Sequence, residues 1–281
     1  MYNKNFKFIK KNANAKINFG LQILNKRIDG YHNINTLFYP IFLSDNLEFS
    51  FADDFYLNEE NPIGINYKEN LVYKAWEIMN NKFDISGLAV HINKNIPFGA
   101  GLGGGSSDAA KTILAINEIY SLNLDIDELT NIALKCGSDV PYFLNSIYPA
   151  TALSRGEILN YFSIKDRFNL VLINPAINVS TAYAYSELKR NIDDDIPKVN
   201  FEEILLNRKK EDFKNYIFND FENVIFEKYP KIEAIKNMLY ENGAYFALMS
   251  GSGSSVFGLF EEKVSRKKIQ DIFPSYFVYT E

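Results

Sequence analysis

A glycine-rich segment in the middle third of the chain carries the clearest chemical signal in the sequence. Five glycines fall within residues 99–105, and Ser106 and Ser107 follow directly. Glycine lets backbone N–H groups approach a ligand closely, and the N-terminus of a helix adds the positive end of its dipole. A strand, this segment and a helix in succession therefore predict a site for a phosphate group. A simple tight turn would need fewer glycines.

Two common phosphate-binding motifs do not fit this segment. Residues 99–104 match the spacing G-x-G-x-x-G, but a dinucleotide site also needs an acidic residue about 20 positions further on, after a second parallel strand. Residues 125–129 occupy that position, and their sequence predicts the start of a helix. A P-loop needs a lysine followed by Ser or Thr after its glycines, and this sequence has no such pair there. Both a dehydrogenase and a P-loop protein are therefore disfavoured.

The elements that must position the segment can be predicted from periodicity. Residues 88–92 alternate between apolar and polar side chains, as a half-buried strand does. Beyond the glycines, apolar residues recur at helical spacing: Ala109, Ile113, Ile116 and Tyr120. We expect residues 106–108 to cap this helix.

The rest of the chain mixes strands and helices without strict alternation, which favours an α+β fold. Strands are predicted over residues 16–21, 169–174 and 245–249, and helices over about 127–136, 201–218 and 230–242. We expect two domains, an N-terminal domain over residues 1–155 and a C-terminal α+β domain over residues 156–281.

Composition excludes several classes of function. The chain has 30 basic and 35 acidic residues, a net charge of −5, so it lacks the basic surplus that a nucleic-acid backbone attracts. Cys136 is the single cysteine, and His32 and His91 are the two histidines, which disfavours a disulfide and a zinc or iron site. No run reaches the roughly 18 apolar residues of a membrane span, and residues 1–16 lack the apolar stretch of a signal peptide. We expect a cytoplasmic protein with neither nucleic-acid nor membrane partners.

Three segments carry a family resemblance. Residues 97–110, Pro-Phe-Gly-Ala-Gly-Leu-Gly-Gly-Gly-Ser-Ser-Asp-Ala-Ala, closely resemble the phosphate loop of the galactokinase, homoserine kinase, mevalonate kinase and phosphomevalonate kinase (GHMP) superfamily. Residues 249–257 are similar to its third motif. Residues 26–32, Lys-Arg-Ile-Asp-Gly-Tyr-His, look like those members whose alcohol acceptor is a cytidyl-methylerythritol. The resemblance runs from about residue 15 to residue 260.

The resemblance implies a two-domain α+β fold of the GHMP-kinase type, with the active site in the cleft between the domains. It implies ATP as phosphoryl donor, with Mg²⁺ held through Ser106 or Ser107, and it identifies no acidic ligand for the metal. The residues implied to bind ATP are Pro97, Phe98, Gly99, Ala100, Gly101, Leu102, Gly103, Gly104, Gly105, Ser106 and Ser107.

The resemblance also implies the catalytic and acceptor residues. Asp139 would be the general base, and Lys16 its cationic neighbour. The residues implied to bind the acceptor are Asn18, Tyr31, His32, Tyr185, Gly251 and Ser252. Tyr31 and Tyr185 would stack on opposite sides of the cytosine, and His32 would read its edge. Three positions depart from the family pattern without removing a chemical group: Gly20, Ser138 and Tyr185.

Purely structural roles for these residues, and other functions of the chain, stay open at this point. Taken alone, Asp139 is typical of a helix N-cap or of a surface carboxylate, and Lys16 is typical of a solvent-facing strand residue. The chain could also be a GHMP kinase with another small alcohol acceptor, against which residues 29–32 argue. A non-catalytic nucleotide-binding module is the second alternative, and the presence of both Lys16 and Asp139 argues against it. The sequence predicts no oligomeric state.

Overall fold

The computed structural model describes residues 8–62, 64, 66–85, 87–165, 167–188 and 190–281. Its strands are β1 (Ile9–Lys26), β2 (His32–Phe51), β3 (Tyr56–Glu60), β4 (Leu88–Asn93), β5 (Ala150–Ser154), β6 (Ile158–Tyr161), β7 (Asn169–Asn174), β8 (Phe246–Met249), β9 (Val256–Phe260) and β10 (Phe277–Thr280). Its α-helices are α1 (Leu71–Phe83), α2 (Gly104–Ile119), α3 (Ile126–Cys136), α4 (Thr181–Leu188), α5 (Phe201–Asn207), α6 (Phe213–Tyr216), α7 (Phe221–Lys228), α8 (Pro230–Glu241) and α9 (Arg266–Ile272). Short 3₁₀ helices lie at Tyr67–Glu69, Val140–Asn145 and Lys210–Asp212.

The chain forms two compact units. Of the described residues, those within 8–15, 42–98 and 103–147 form the first unit, and those within 16–41, 99–102 and 148–281 form the second. The mixture of strands and helices confirms the predicted α+β class. Because β1 and β2 each contribute residues to both units, the units are assembled from several chain segments. The predicted domains, 1–155 and 156–281, stay a prediction.

In the first unit, β4 pairs antiparallel with residues 46–51 of β2 and parallel with β3. Helix α2 packs against α1 and α3 and against the 3₁₀ helix at Val140–Asn145. The predicted apolar face of α2 is confirmed, because all four of its members are buried: Ala109, Ile113, Ile116 and Tyr120. Burial of this face fixes the rotation of α2, and with it the direction of the side chains in its first turn.

The start of α2 differs from the prediction. The helix begins at Gly104, and its N-cap is Gly103 in a left-handed conformation with φ of 72°. The expectation that residues 106–108 form the cap is wrong, because glycine reaches this conformation at little cost and lets the helix start earlier. Ser106 and Ser107 therefore lie inside the first turn. The N–H of Ser107 already donates to the carbonyl of Gly103 at 2.9 Å, whereas the N–H groups of residues 103–106 come too early in the helix to reach such a carbonyl.

The second unit contains an antiparallel sheet in the order β10-β7-β9-β8. Residues 34–38 of β2 pair with β5, and β5 pairs with β6, also antiparallel. Phe19 of β1 is fully buried, with its ring centroid 5.4 to 6.0 Å from four others: Phe168, Phe213, Phe246 and Phe257. Because side chains alternate along a strand, anchoring Phe19 here turns Lys16 and Asn18 to the opposite face of β1.

One predicted helix is divided in the structure. The segment 201–218 is interrupted after α5, because Arg208 is extended with ψ of 153°. Helix α7 was not predicted, whereas the strand at 169–174 and the helices at 127–136 and 230–242 are confirmed to within a residue.

Of the helices in the part of the chain that the structure describes, none is long and apolar enough to cross a membrane.

Cys136, the last residue of α3, is expected to be chemically inert in the folded protein. It is a free cysteine with 3% of its surface exposed, and burial raises the pKa of its thiol to about 11. Since the thiolate is the reactive species, a disulfide reagent at mildly alkaline pH should not modify the native protein. Full modification is expected in guanidinium chloride. Rapid, stoichiometric reaction of the native chain would contradict this burial.

Candidate functional site

The glycine-rich segment owes its path to glycines in the left-handed region. Gly99, Gly101 and Gly103 have φ of 62°, 74° and 72°. A Cβ at Gly101 would lie 2.1 Å from the backbone oxygen of Ser250, a distance that no side chain can adopt without moving the backbone. Left-handed backbone costs other residues roughly 1–2 kcal/mol, so the conformation favours glycine at all three positions, and the lack of space also requires it at Gly101.

The tip of the segment, residues 99–102, is held by hydrogen bonds within the second unit. The carbonyl of Leu102 accepts from the N–H of Lys16 at 3.0 Å. The carbonyl of Gly101 accepts from the hydroxyl of Ser250 at 2.9 Å. The N–H of Ser255 donates to the carbonyl of Ala100 at 3.3 Å. Because carbonyls make these bonds, they fix the tip without consuming its N–H groups.

Lys16 lies in a buried polar network rather than in solvent. The residue is 4% exposed. Its Nζ donates to Oδ1 of Asn18 at 2.5 Å and lies 4.8 Å from the ring centroid of Phe38. The Nδ2 of Asn18 donates to Oγ1 of Thr36 at 2.9 Å, and Thr36 donates to the carbonyl of Gly20 at 2.6 Å. The alternative of a solvent-facing strand residue is therefore wrong. The network orients the ammonium group of Lys16.

The predicted residues Asn18 and Gly251 lie together. The N–H of Asn18 donates to the hydroxyl of Ser250 at 3.0 Å, and a Cβ at Gly251 would lie 3.3 Å from Oδ1 of Asn18. The hydroxyl of Ser252 lies 2.9 Å from that of Thr181, the first residue of α4. Ser250 thus joins β1 to the glycine-rich tip, because it accepts from Asn18 and donates to Gly101.

Two buried side chains that the sequence reasoning missed support this turn. The Nδ2 of Asn219 donates to the carbonyls of Met249 and Gly251, each at 2.8 Å. Glu222 accepts from the N–H of Met249 at 2.9 Å and from Lys236 at 2.6 Å. Both residues lie about 30 positions before the turn, at no spacing that a motif would reveal.

His32 and Tyr185 form a stacked pair. Their ring centroids are 4.8 Å apart with an interplanar angle of 17°, and Phe221 meets Tyr185 edge-on at 4.9 Å. Burial, with the positive charges of Lys26 and Arg190, lowers the pKa of His32. A neutral imidazole has one donor and one acceptor nitrogen, which suits it to read the edge of a base.

Tyr31 presents an exposed ring next to this pair in the sequence. The residue is 58% exposed, and the guanidinium of Arg155 lies 5.1 Å from its ring centroid. The turn before it is fixed by Asp29, which accepts from the N–H of Tyr31 at 3.2 Å and pairs with Arg27. An exposed ring at a rigid turn is available for stacking. The prediction that Tyr31 and Tyr185 face two sides of one base stays a prediction.

In the first unit, the first turn of α2 holds a buried hydroxyl. The side chain of Ser107 is fully buried, and its Oγ has no hydrogen-bond partner among the residues that the structure describes. Ser106 is half-buried and Gly105 is exposed, so the turn has an accessible edge. Buried hydroxyls are usually hydrogen-bonded, so the orphaned Oγ of Ser107 points to a ligand as its partner.

Two lysines bind backbone carbonyls that precede and follow Asp139 in the sequence. The Nζ of Lys74 donates to the carbonyl of Cys136 at 3.0 Å, and that of Lys111 donates to the carbonyl of Phe143 at 2.9 Å. Asp139 itself is half-buried and occupies the N-cap position of a 3₁₀ helix without forming a side-chain capping hydrogen bond. Burial lowers the pKa of Lys111 to about 8. Capping therefore does not account for the carboxylate of Asp139.

Comparison with known proteins identifies the class. Residues 70–146 match the family described as GHMP kinases N terminal domain, and residues 201–278 match GHMP kinases C terminal. A 4-diphosphocytidyl-2-C-methyl-D-erythritol kinase of Parabacteroides distasonis is 42% identical, covering 95% of this chain and 96% of that protein. One of Bacteroides fragilis is 41% identical, with coverages of 92% and 96%.

A solved structure gives the same result. The crystal structure of a 4-(cytidine 5'-diphospho)-2C-methyl-D-erythritol kinase is 31% identical, with a TM-score of 0.80 over 97% of this chain and 98% of that one. The fold and both family matches thus define a two-domain GHMP kinase. Within that class, the chain belongs to the 4-diphosphocytidyl-2-C-methyl-D-erythritol kinase family. The resemblance found from three short segments is confirmed.

Alanine at Gly101 or Gly103 is expected to weaken ATP binding. Each change strains a left-handed residue by about 1–2 kcal/mol, and Gly101→Ala must also displace the carbonyl of Ser250. Gly243→Ala is the matched control, because Gly243 has φ of 98° and open space around it. Calorimetric ATP affinities and melting temperatures should show lost stability in all three variants, but lost affinity only in the first two. Equal ATP affinity in all three folded variants would remove the segment from the ATP site.

Proposed function

We propose that this chain transfers the γ-phosphoryl group of ATP to the 2-hydroxyl of 4-diphosphocytidyl-2-C-methyl-D-erythritol, a step of the non-mevalonate isoprenoid pathway. The observation that carries this function is the identity of about 40% along nearly the whole chain to kinases named for that acceptor. The stacked His32 and Tyr185 support it, because they supply aromatic and hydrogen-bonding groups for a base. Because the donor is ATP, we place the reaction in the cytoplasm.

In the proposed reaction, Asp139 accepts a proton and Lys16 stabilises negative charge. The acceptor oxygen forms a bond to the γ-phosphorus, the bond from that phosphorus to the bridging oxygen of ADP breaks, and the hydroxyl proton passes to the carboxylate of Asp139. A carboxylate is a weak base towards an alcohol, which is sufficient if the transition state is loose and the proton leaves late. The ammonium of Lys16 stabilises the charge on the phosphoryl oxygens, and the Asn18 network keeps it oriented.

The phosphates of ATP are assigned to the glycine-rich segment and to the first turn of α2. Their negative charge is stabilised by free N–H groups and by the helix dipole. Mg²⁺ prefers oxygen ligands and is commonly held by few protein groups together with substrate phosphates. The buried Oγ of Ser107 fits such a role, and Ser106 is the neighbouring candidate. When bound, Mg²⁺ would neutralise charge on the phosphate oxygens.

The cytidine of the acceptor explains the aromatic residues. The reacting polyol is small and flexible, so binding energy from a remote group must orient it. We assign the base to the rings of Tyr31 and Tyr185 and its edge to His32. Asn18, Gly251 and Ser252 are assigned to the remainder of the acceptor, because Asn18 joins the catalytic lysine to the turn that bears the other two.

A coupled ADP-release assay tests the function. ATP would be supplied with the cytidyl-methylerythritol acceptor, with mevalonate and with homoserine in parallel. We expect turnover with the cytidyl acceptor and little with the other two. Preferred turnover of mevalonate or homoserine would identify another kinase of the superfamily. ATP binding without turnover of any acceptor would favour a non-catalytic module.

Removal of either catalytic group should lower turnover while ATP binding persists. Asp139→Asn is nearly isosteric but cannot accept the proton as a carboxylate does, and loss of a general base costs on the order of 10²–10⁴-fold in rate. Lys16→Met should cost kcat to a similar degree. Asp127→Asn and Lys10→Met are matched controls, because both residues are exposed. Near-normal kcat in Asp139→Asn or Lys16→Met would exclude that residue from the chemistry.

Truncation of Tyr185 should affect the acceptor and spare ATP. Stacking contributes about 1–3 kcal/mol per base, so Tyr185→Ala should lower kcat/KM for the cytidyl acceptor and weaken CDP binding. Tyr185→Phe should be nearly silent, because it keeps the ring. Tyr183→Ala, on the same helix, is the control: its ring contacts Lys228 rather than His32. His32→Ala should reduce the preference for cytidyl over uridyl acceptors, and normal CDP binding by Tyr185→Ala would contradict this pocket.

A further inference from the structure

Three buried charged side chains form a cluster in the first unit, outside the residues assigned above. The side chains of Asp45, Lys94 and Asp108 are 0%, 6% and 4% exposed. The Nζ of Lys94 contacts Oδ2 of both aspartates, at 2.6 Å in the case of Asp108. The other oxygen of Asp45 accepts from the N–H groups of Asn95 and Ile96 at 2.6 and 2.8 Å. We call these three side chains the acidic clamp.

The acidic clamp joins the two ends of the glycine-rich segment. With the flanking residues that are also assigned to ATP, the glycine-rich segment runs from Pro97 to Ser107. Residues 94–96 directly precede it, and Asp108 directly follows it. Lys94 therefore ties the chain entering the segment to the first turn of α2. Asp45 belongs to β2 and fixes the same entering residues to the sheet through their backbone N–H groups.

The attraction between Lys94 and the two buried aspartates opposes any rearrangement of the acidic clamp. An isolated charge inside a protein is strongly unfavourable, so a buried ion is kept close to its partners. Burial acts to lower the pKa of Lys94, but the two carboxylates outweigh it and raise that pKa, so the amine is charged. Oδ1 of Asp108 has no hydrogen-bond partner among the described residues, and burial raises the pKa of this carboxyl to about 7, against the opposing effect of Lys94. Lys94 is therefore the group that holds Asp108 in place and favours its charged form.

We infer that Asp45, Lys94 and Asp108 are positioning residues that fix the separation of the two ends of the glycine-rich segment and thereby set the affinity for ATP. The inference rests on the proposed function in that it takes ATP phosphates to lie on this segment. A loop that carries anion-binding N–H groups is effective only when its ends are fixed, since disordered ends make binding bear the entropy of ordering them. The acidic clamp supplies this order before ATP arrives.

The aspartate at the helix end offers a matched pair of variants. Asp108→Asn keeps an oxygen that can accept from Lys94, whereas Asp108→Leu has similar size and removes the bond between α2 and the entering chain. We expect Asp108→Leu to raise KM and Kd for ATP about 10- to 100-fold, as misplacement by about 1 Å can. Asp108→Asn should restore most of the affinity, and the KM for the acceptor should not change.

A control on the same helix separates positioning from a general loss of stability. Glu118 lies in α2 and pairs with Lys11 at 2.6 Å, but its side chain is 47% exposed. Glu118→Leu should leave ATP affinity unchanged. Melting temperatures of all variants would be measured alongside, so that affinities are compared at a temperature where each is folded.

Hydrogen exchange supplies a readout that does not depend on catalysis. In Asp108→Leu and Lys94→Met, peptides covering residues 97–107 should exchange faster, while peptides from β7 and β9 should not. The inference is overturned if the folded Asp108→Leu protein keeps both wild-type ATP affinity and wild-type exchange in residues 97–107. If the wild-type chain binds no ATP, the proposed function fails. Faster exchange in residues 97–107 of the variants would then still support the positioning role.

Discussion

The candidate site depends on left-handed backbone, which glycine adopts at the lowest cost, at Gly99, Gly101 and Gly103. Left-handed φ at alternate positions turns the chain tightly, and Gly101 approaches the backbone of Ser250 where any side chain would collide. The carbonyls of this tip accept hydrogen bonds from protein groups, and these bonds do not involve its N–H groups. The helix N-terminus that follows adds the positive end of a dipole. The path of the segment on which the proposed ATP site rests thus follows from a steric constraint on the main chain.

Buried polar groups hold the side chain of Lys16 and the segment that bears Asp139 in place. Lys16 does not reach into water but is held by Asn18, which in turn bonds to Thr36 and, through its N–H, to Ser250. Such networks are costly when half-satisfied and rigid when complete. The same logic applies in the first unit, where lysines bind the carbonyls on both sides of Asp139. In both cases the supporting groups include residues far away in the sequence, Ser250 for the network of Lys16 and Lys74 for the segment that bears Asp139.

The sequence predicted what depends on local pattern. The apolar face of α2 follows from periodicity, and the tight turns of residues 99–103 follow from the density of glycines. The cap of α2 was predicted at least three residues too late, because a left-handed Gly103 competes with serine as a cap and the sequence cannot rank the two. Helix α5 ends early for a similarly local reason, the extended Arg208, which no periodicity reveals.

The supporting residues could not be predicted, because their partners are brought together only by the fold. Asp45 and Lys94 are 49 residues apart, and Asn219 lies 32 residues before the carbonyl of Gly251 that it binds. Each is an ordinary polar residue when taken alone. The family resemblance named Lys16 and Asp139 but could not show how either is held. Only the hydrogen bonds of the folded structure show how each is held.

The most direct test of the account is the position of the new phosphate in the product. After incubation with ATP and the cytidyl-methylerythritol acceptor, phosphorus–proton correlation by NMR would locate the added phosphate. The account predicts one new phosphate ester, at the 2-hydroxyl, with one ADP formed for each ester. A phosphate at another hydroxyl, or ADP formed without any ester, would contradict it.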